Sequence, residues 1–161
     1  MDEILALSAT EQAALIRNRK VSSVELVQAH LGRVSAVNPT INAAVDIFEE
    51  RSIAGARAAD EALARRDRLG PLHGVPFTIK DSIELAGSVC TAGTVGRLRA
   101  EPSAEDAIVV RRLRLAGAIP IAKTNQIFFS RLKAIIFFTD ERITPMTWSG
   151  HAGGVVAAKL P

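Results

Sequence analysis

The chain has 161 residues, 48% apolar and 23% charged, a globular composition sized for one domain with a real core. Twenty basic side chains against seventeen acidic ones leave +3, too small a surplus to imply nucleic acid as a partner. A single cysteine, Cys90, excludes an internal disulfide and any cysteine-rich metal site.

Ser8-Ala-Thr-Glu11 and Ser22-Ser-Val-Glu25 have the spacing of capping boxes. The first predicts a short helix to about Asn18. The second predicts one carrying Val24, Val27, Leu31 and Val34 at helical spacing. Asn38-Pro39 reads as a turn, and Ala43 to Ile47 as a brief strand. From Arg51 to Arg68 alanines and charges form a helix-favouring mixture, closed by Gly70 at a C′ position. That segment is amphipathic, and packing against its own domain is its expected role.

The Gly70-Pro71 break precedes an alternation in which Val75, Phe77 and Ile79 share one face. Pro76, Thr78 and Lys80 share the other, and Lys80 stands at the strand's carboxyl end. Sites in α/β proteins tend to be built at such ends. Pattern alone makes a lysine there a solvated charge. Ser88 to Arg97, with Gly87, Gly93 and Gly96 in and around it, reads as a loop. Ser103 is expected to cap a helix with Asp106 at N3. Ile108, Val109, Leu113 and Leu115 supply its apolar surface, and Arg111, Arg112 and Arg114 a solvated face. Gly117 ends it, and Ala118 to Ala122 reads as a second buried strand followed by Lys123-Thr124-Asn125. Strand, helix, strand predicts a right-handed parallel crossover. Lys80-Asp81 and Lys123-Asn125 then lie on the same edge of one sheet.

The tail is different. Residues 126 to 143 hold four of the six phenylalanines without a clean period, and Ser149-Gly-His-Ala-Gly-Gly154 reads as a glycine-rich turn entering a helix. The longest strongly apolar run, Ala134 to Phe138, is far too short to span a bilayer. Met1-Asp2-Glu3 is acidic where a secretory signal is basic. A soluble, cytoplasmic protein is the expectation, with no membrane partner.

Several words together resemble the amidase signature family, whose members hydrolyse amide carbon–nitrogen bonds. They are Gly70-Pro-Leu-His-Gly-Val-Pro-Phe-Thr-Ile-Lys-Asp81, Thr91-Ala-Gly-Thr94, Asp106-Ala-Ile-Val-Val-Arg-Arg-Leu113, Ala116-Gly-Ala-Ile119 and Ala122-Lys-Thr-Asn125. The resemblance covers residues 1–125, the family's amino-terminal region, and leaves 126–161 as a divergent, truncated tail. It implies an α/β fold, an incomplete amidase-signature architecture with a mixed or parallel sheet and flanking helices. It also places Lys80 at the family's catalytic lysine. In complete members that lysine works with two serines, one bridging in a Gly-Gly-Ser-Ser-Gly-Gly turn and one nucleophilic in a later Gly-Gly-Ser motif. A neutral amine accepts the nucleophile's proton through the bridging hydroxyl, and backbone N–H groups hold the oxyanion.

This sequence departs from that pattern in the tail. In Ser149-Gly-His-Ala-Gly-Gly154, His151 and Ala152 stand where the two serines of the turn belong, and a nucleophile's position falls beyond Pro161. His151 is read as an exposed turn residue, His73 as a structural one, and Cys90 as a small buried side chain. Ser82, Ser88 and Ser130 lack a nucleophile context and carry no catalysis. The site expectation is therefore Lys80 alone, with no cofactor and no metal.

Three functions remain open. One is the amino-terminal portion of a carboxamide hydrolase, inactive alone, whose complete form acts on a small-molecule amide. The others are a non-enzymatic remnant and an interaction module such as part of an amidotransferase-type subunit. Exposed apolar surface predicts association with a like or unlike chain.

Overall fold

The computed structural model describes residues 2–126; the expectations placed on 127–161, including His151, Ala152 and Ser130, lie outside them. The two capping boxes form as read. Ser8 opens α2 (Ala9–Arg17), which follows a short α1 (Asp2–Leu5), and Ser22 opens α3 (Ser23–Ile41). In each, the serine hydroxyl accepts from the N3 backbone N–H while the N3 glutamate accepts from the serine. These bonds hold the Glu11 and Glu25 carboxyls below the usual range. A second carboxylate reinforces α3 from a distance: Asp60 accepts from the N–H groups of Ser23 at 2.7 Å and Val24 at 3.1 Å.

Asn38-Pro39 is not a turn. The helix runs through Pro39 to Ile41, because a proline in the last turn forfeits a single bond. Asn42, in the left-handed region with φ 47°, ends it. The Asn38 amide then bonds both backbone groups of Ala44, at 2.9 and 2.7 Å, and starts β1 (Ala44–Ile47).

Helix α4 (Glu49–Arg65) stops earlier than the composition implies. Arg66 adopts φ 62° and takes the cap expected of Gly70. Gly70 serves a close approach instead, since a Cβ there would lie 2.2 Å from the Ala116 carbonyl oxygen. Nearby, Leu72 N–H bonds the Ala116 carbonyl and Gly74 N–H the Gly117 carbonyl, both at 2.9 Å. These contacts dock the lead-in of β2 (Pro76–Lys80) onto the turn between α5 (Ile108–Leu115) and β3 (Ile119–Thr124).

The three strands form one mixed sheet in the order β1-β3-β2. β3 runs parallel to β2 and antiparallel to β1. Central strands seldom hold proline, yet Pro120 sits in β3. It is accommodated by a register shift between Phe77 and Thr78 that skips Ile121 on the β2 side, and β1 pairs only from Ala122 onward. Two apolar clusters use different strand side chains. Ile119 and Ile121 pack with Val27, Leu31 and Ala56 of α3 and α4, as expected of the amphipathic helix. Ile79 packs with Leu85 and with Val110 of α5, against Phe48 and Phe77. Val45, Ile47, Ile108, Val109 and Leu115 remain exposed on the described residues.

Helix α5 corrects another expectation. Ser103 and Asp106 do not cap it; it starts at Ile108 with no side-chain cap on its N-cap residue, Ala107. Asp106 is drawn elsewhere, accepting from Ala86 N–H at 2.9 Å and pairing with Arg114 at 2.6 Å. Burial pushes the Asp106 carboxyl up, but these partners outweigh it and hold it below the usual range.

Candidate active site

β2 delivers Lys80 to its carboxyl end, where the lysine faces Thr124 of β3 in register. The side chain is exposed, and no described residue forms an ion pair with it. The backbone beneath it is closely held. Lys80 carbonyl accepts from Ile83 N–H at 2.8 Å, and Asp81 N–H donates to the Thr124 carbonyl at 3.0 Å. The two polar clusters therefore share one end of the sheet, as the crossover pattern predicts.

Their interiors differ from the expectation. Lys123 is not a strand-end charge: β3 continues through it to Thr124, and its side chain is fully buried. Its Nζ lies 3.6 Å from Asp81 Oδ1 and donates to the Val89 carbonyl at 3.0 Å. Asp81 is itself only 3% exposed. Its other oxygen, Oδ2, accepts from the Thr91 hydroxyl and from Gly93 N–H at 3.3 Å. Burial pushes the Asp81 carboxyl up, yet the Thr91 and Gly93 bonds and the Lys123 charge prevail and hold it below the usual range. The loop after β2 thus folds back over the strand end, with Ala92 and Gly93 both at positive φ. Ser103 and Ser88 tie its far arms through backbone bonds, Gly87 N–H to the Ser103 carbonyl and Ser103 N–H to the Ser88 carbonyl.

Asp81 belongs to a word quoted for the resemblance, but sequence reasoning missed its pairing with Lys123. The available signal was a lysine directly abutting the apolar run Ala118–Ala122. Other residues fall as read. His73 is buried with Nε2 3.0 Å from the Ala59 carbonyl, a structural contact. Cys90 is buried and free, Ser88 is buried on the Leu85 carbonyl, and Ser82 is exposed.

A cleft of about 300 Å³ opens elsewhere, at the start of β3, lined by Arg51, His73, Arg114 and Gly117 among others. Both cations there are committed, Arg51 to the Ala86 carbonyl and Arg114 to Asp106. The cleft contains none of the Lys80 cluster. Among the described residues no group of three metal-ligating side chains occurs, and no helix is long and apolar enough to cross a membrane.

The amidase family model matches residues 25–131. An indoleacetamide hydrolase of Bradyrhizobium diazoefficiens is 40% identical over 166 residues, covering 95% of this chain and 30% of that protein. The match therefore runs into the segment after residue 126. A glutamyl-tRNA(Gln) amidotransferase subunit of Acidothermus cellulolyticus is 38% identical over 125 residues, covering 78% of this chain and 25% of its own. Among solved structures, the peptide amidase of Stenotrophomonas maltophilia superposes with a TM-score of 0.67 at 33% identity, over 74% of this chain and 25% of that one. The chain spans 25 to 30% of the length of these two curated relatives.

Proposed function

The chain belongs to the amidase family, and from that premise we propose that residues 1–125 supply the lysine-bearing part of a carboxamide-hydrolysing site. The observation that carries the reading is the placement of Lys80: an exposed amine at a strand end whose backbone is pinned on both sides. In this reading neutral Lys80 accepts a proton relayed by a bridging serine from a nucleophilic serine. The nucleophile's oxygen bonds to the carbonyl carbon, and the leaving amine takes the proton back as the carbon–nitrogen bond breaks. Water then releases the acyl group by the same relay.

The serines are the part these residues do not offer. The nearest glycine-rich turn is Ser149-Gly-His-Ala-Gly-Gly154. We therefore take the 161 residues alone to be inactive as a hydrolase. A primary arylacetamide is the substrate class to test first, because the indoleacetamide hydrolase shares 40% identity. Likeness to an amidotransferase subunit supports a second reading, in which the chain works beside other subunits. A cytoplasmic setting accords with the buried free thiol of Cys90.

The test is a chimera in which residues 25–125 replace the matching part of the Bradyrhizobium hydrolase. It should hydrolyse indoleacetamide, and Lys80→Ala within it should lower kcat by about a thousandfold or more. Unchanged turnover in the Lys80→Ala chimera would remove Lys80 from the mechanism. Lys80-dependent turnover by the 161 residues alone would refute their inactivity.

A further inference from the structure

Helix α1 has four residues, too few to hold a helix by its own hydrogen bonds. Its place on the fold therefore rests on its contacts. Ile4 packs against the cluster of Ile16, Val21 and Leu26. Gln12 of α2, only 4% exposed, donates from Nε2 to the Ile4 carbonyl at 3.1 Å and to the Leu7 carbonyl at 3.2 Å. The same nitrogen lies 3.4 Å from Nε2 of His30 on α3. Two carbonyl oxygens face this atom, which fixes it as the amide nitrogen, a donor only. His30 Nε2 must then accept, in a neutral ring that carries its hydrogen on Nδ1. Two amide hydrogens serve three acceptors, and the longest of the three contacts is the one to His30.

A protonated His30 does not fit this arrangement, because its Nε2–H would meet a nitrogen that has only hydrogens to give. The imidazolium finds an acceptor if the Gln12 amide turns its Oε1 toward it. A charge-assisted bond of that kind is about twice as strong as a neutral one. The turned amide leaves the Ile4 and Leu7 carbonyls without their donor. We propose that this junction is a proton-operated latch: protonation of His30 draws the Gln12 amide off the α1 carbonyls and frees residues 2–7 from the Ile16, Val21 and Leu26 cluster.

Burial pushes the His30 ring below its ordinary value of 6.5, the direction that keeps the latch closed at neutral pH. A lowered folded value means a closed state that is fully stable above 6.5 and weakens as pH falls toward the lowered value. The release constant rises there by up to about tenfold per pH unit. Among the charged groups of these three helices, Glu3, Glu11, Arg17, Glu25 and Arg33 are exposed, and Asp2 begins α1. No described residue forms an ion pair with His30. The Glu11 and Glu25 carboxyls titrate below 4.5, outside the window in which His30 acts.

Nuclear magnetic resonance on the full 161-residue chain reads both parts of the latch. The His30 ring Cε1–H shift gives its midpoint, and heteronuclear NOEs of the backbone N–H groups of residues 3–7 report the order of α1. Between about pH 7.5 and about 5 the parent should start ordered, with a His30 midpoint below 6.5 and NOEs that fall at the same midpoint. His30→Gln keeps a neutral side chain at every pH and should hold those NOEs level. Gln12→Met keeps the packing without the donor and should leave α1 loose already at neutral pH. An α1 that stays ordered while His30 titrates, or that loosens equally in His30→Gln, overturns the latch. So does a His30 midpoint at or above 6.5, or an ordered α1 in Gln12→Met. Where a variant does not fold, the parent decides: midpoints more than about half a pH unit apart overturn the proposal.

Discussion

Where β2 and β3 begin, the chain is held by shape; where they end, beside Lys80, it is held by charge. At the first end Gly70 and Gly117 let backbone approach backbone, with a Cβ at Gly117 only 2.8 Å from His73 Cα and its φ at +92°, and Gly74 makes room for the Ser23 and Ile16 side chains. At the second end a carboxylate and an ammonium, both buried, close a loop over the strands. Among the described residues, the close contacts of Gly70 and Gly117 are steric, and His73, against which Gly117 lies, is buried with Nε2 on the Ala59 carbonyl. The electrostatic end depends on two charges staying matched. The end that carries Lys80, the proposed proton acceptor, is thus the one where charge, and not shape, sets the geometry.

The largest loss is expected at the glycine end. Gly70→Val places atoms within 2.2 Å of the Ala116 carbonyl oxygen, and urea unfolding should show a loss of about 4 kcal/mol, the same at neutral and acid pH. Lys123→Met leaves Asp81 buried and unpaired and should cost about 3 kcal/mol at neutral pH, while replacing both partners costs far less. A double variant as unstable as the single one would show that packing, and not charge, holds that end.

Acid separates the two ends further. The Asp81 and Asp106 carboxyls both lie below their ordinary value of 3.8 in the folded chain. A lowered folded value means stability that is fully present above 3.8 and is lost as pH falls through the lowered values. Stability followed by circular dichroism across that range should therefore fall in the parent. It should fall less steeply in the Asp81→Asn, Lys123→Met double variant, and as in the parent in Gly70→Val. The smallest effect lies away from both ends: Ser22→Ala removes a helix cap and should cost about 1 kcal/mol. Urea unfolding of the variant checks that loss, and a cost near zero would show that Asp60 alone holds the start of α3.

Local signals in the sequence translated directly into structure. Ser8 with Glu11, and Ser22 with Glu25, form their caps because every partner lies within four residues. The β2 alternation and the parallel pairing with β3 were also legible, as was Lys80 at its strand end. What escaped depends on distant partners. Asp106 has the spacing of a cap but finds Ala86 and Arg114. Asp60 looks like one charge among many on α4, yet it completes the start of α3. Lys123 reads as the start of a polar cluster after the strand because its carboxylate partner lies at another strand's end. Gly70 reads as a helix terminator because nothing local announces the Ala116 carbonyl pressed against it.

Pro120 has a consequence for how this sheet assembles. A parallel pair joined through an intervening helix closes late in folding, after a long loop has lost its freedom, and neighbouring registers compete for the same hydrogen bonds. A one-residue slip would turn every following side chain of β3 to the opposite side and send Lys123 away from Asp81. Pro120 offers no N–H to such mispaired intermediates, and it sits just before the residue at which the native ladder skips. A ring with no donor to offer thus disfavours registers that would need one at position 120.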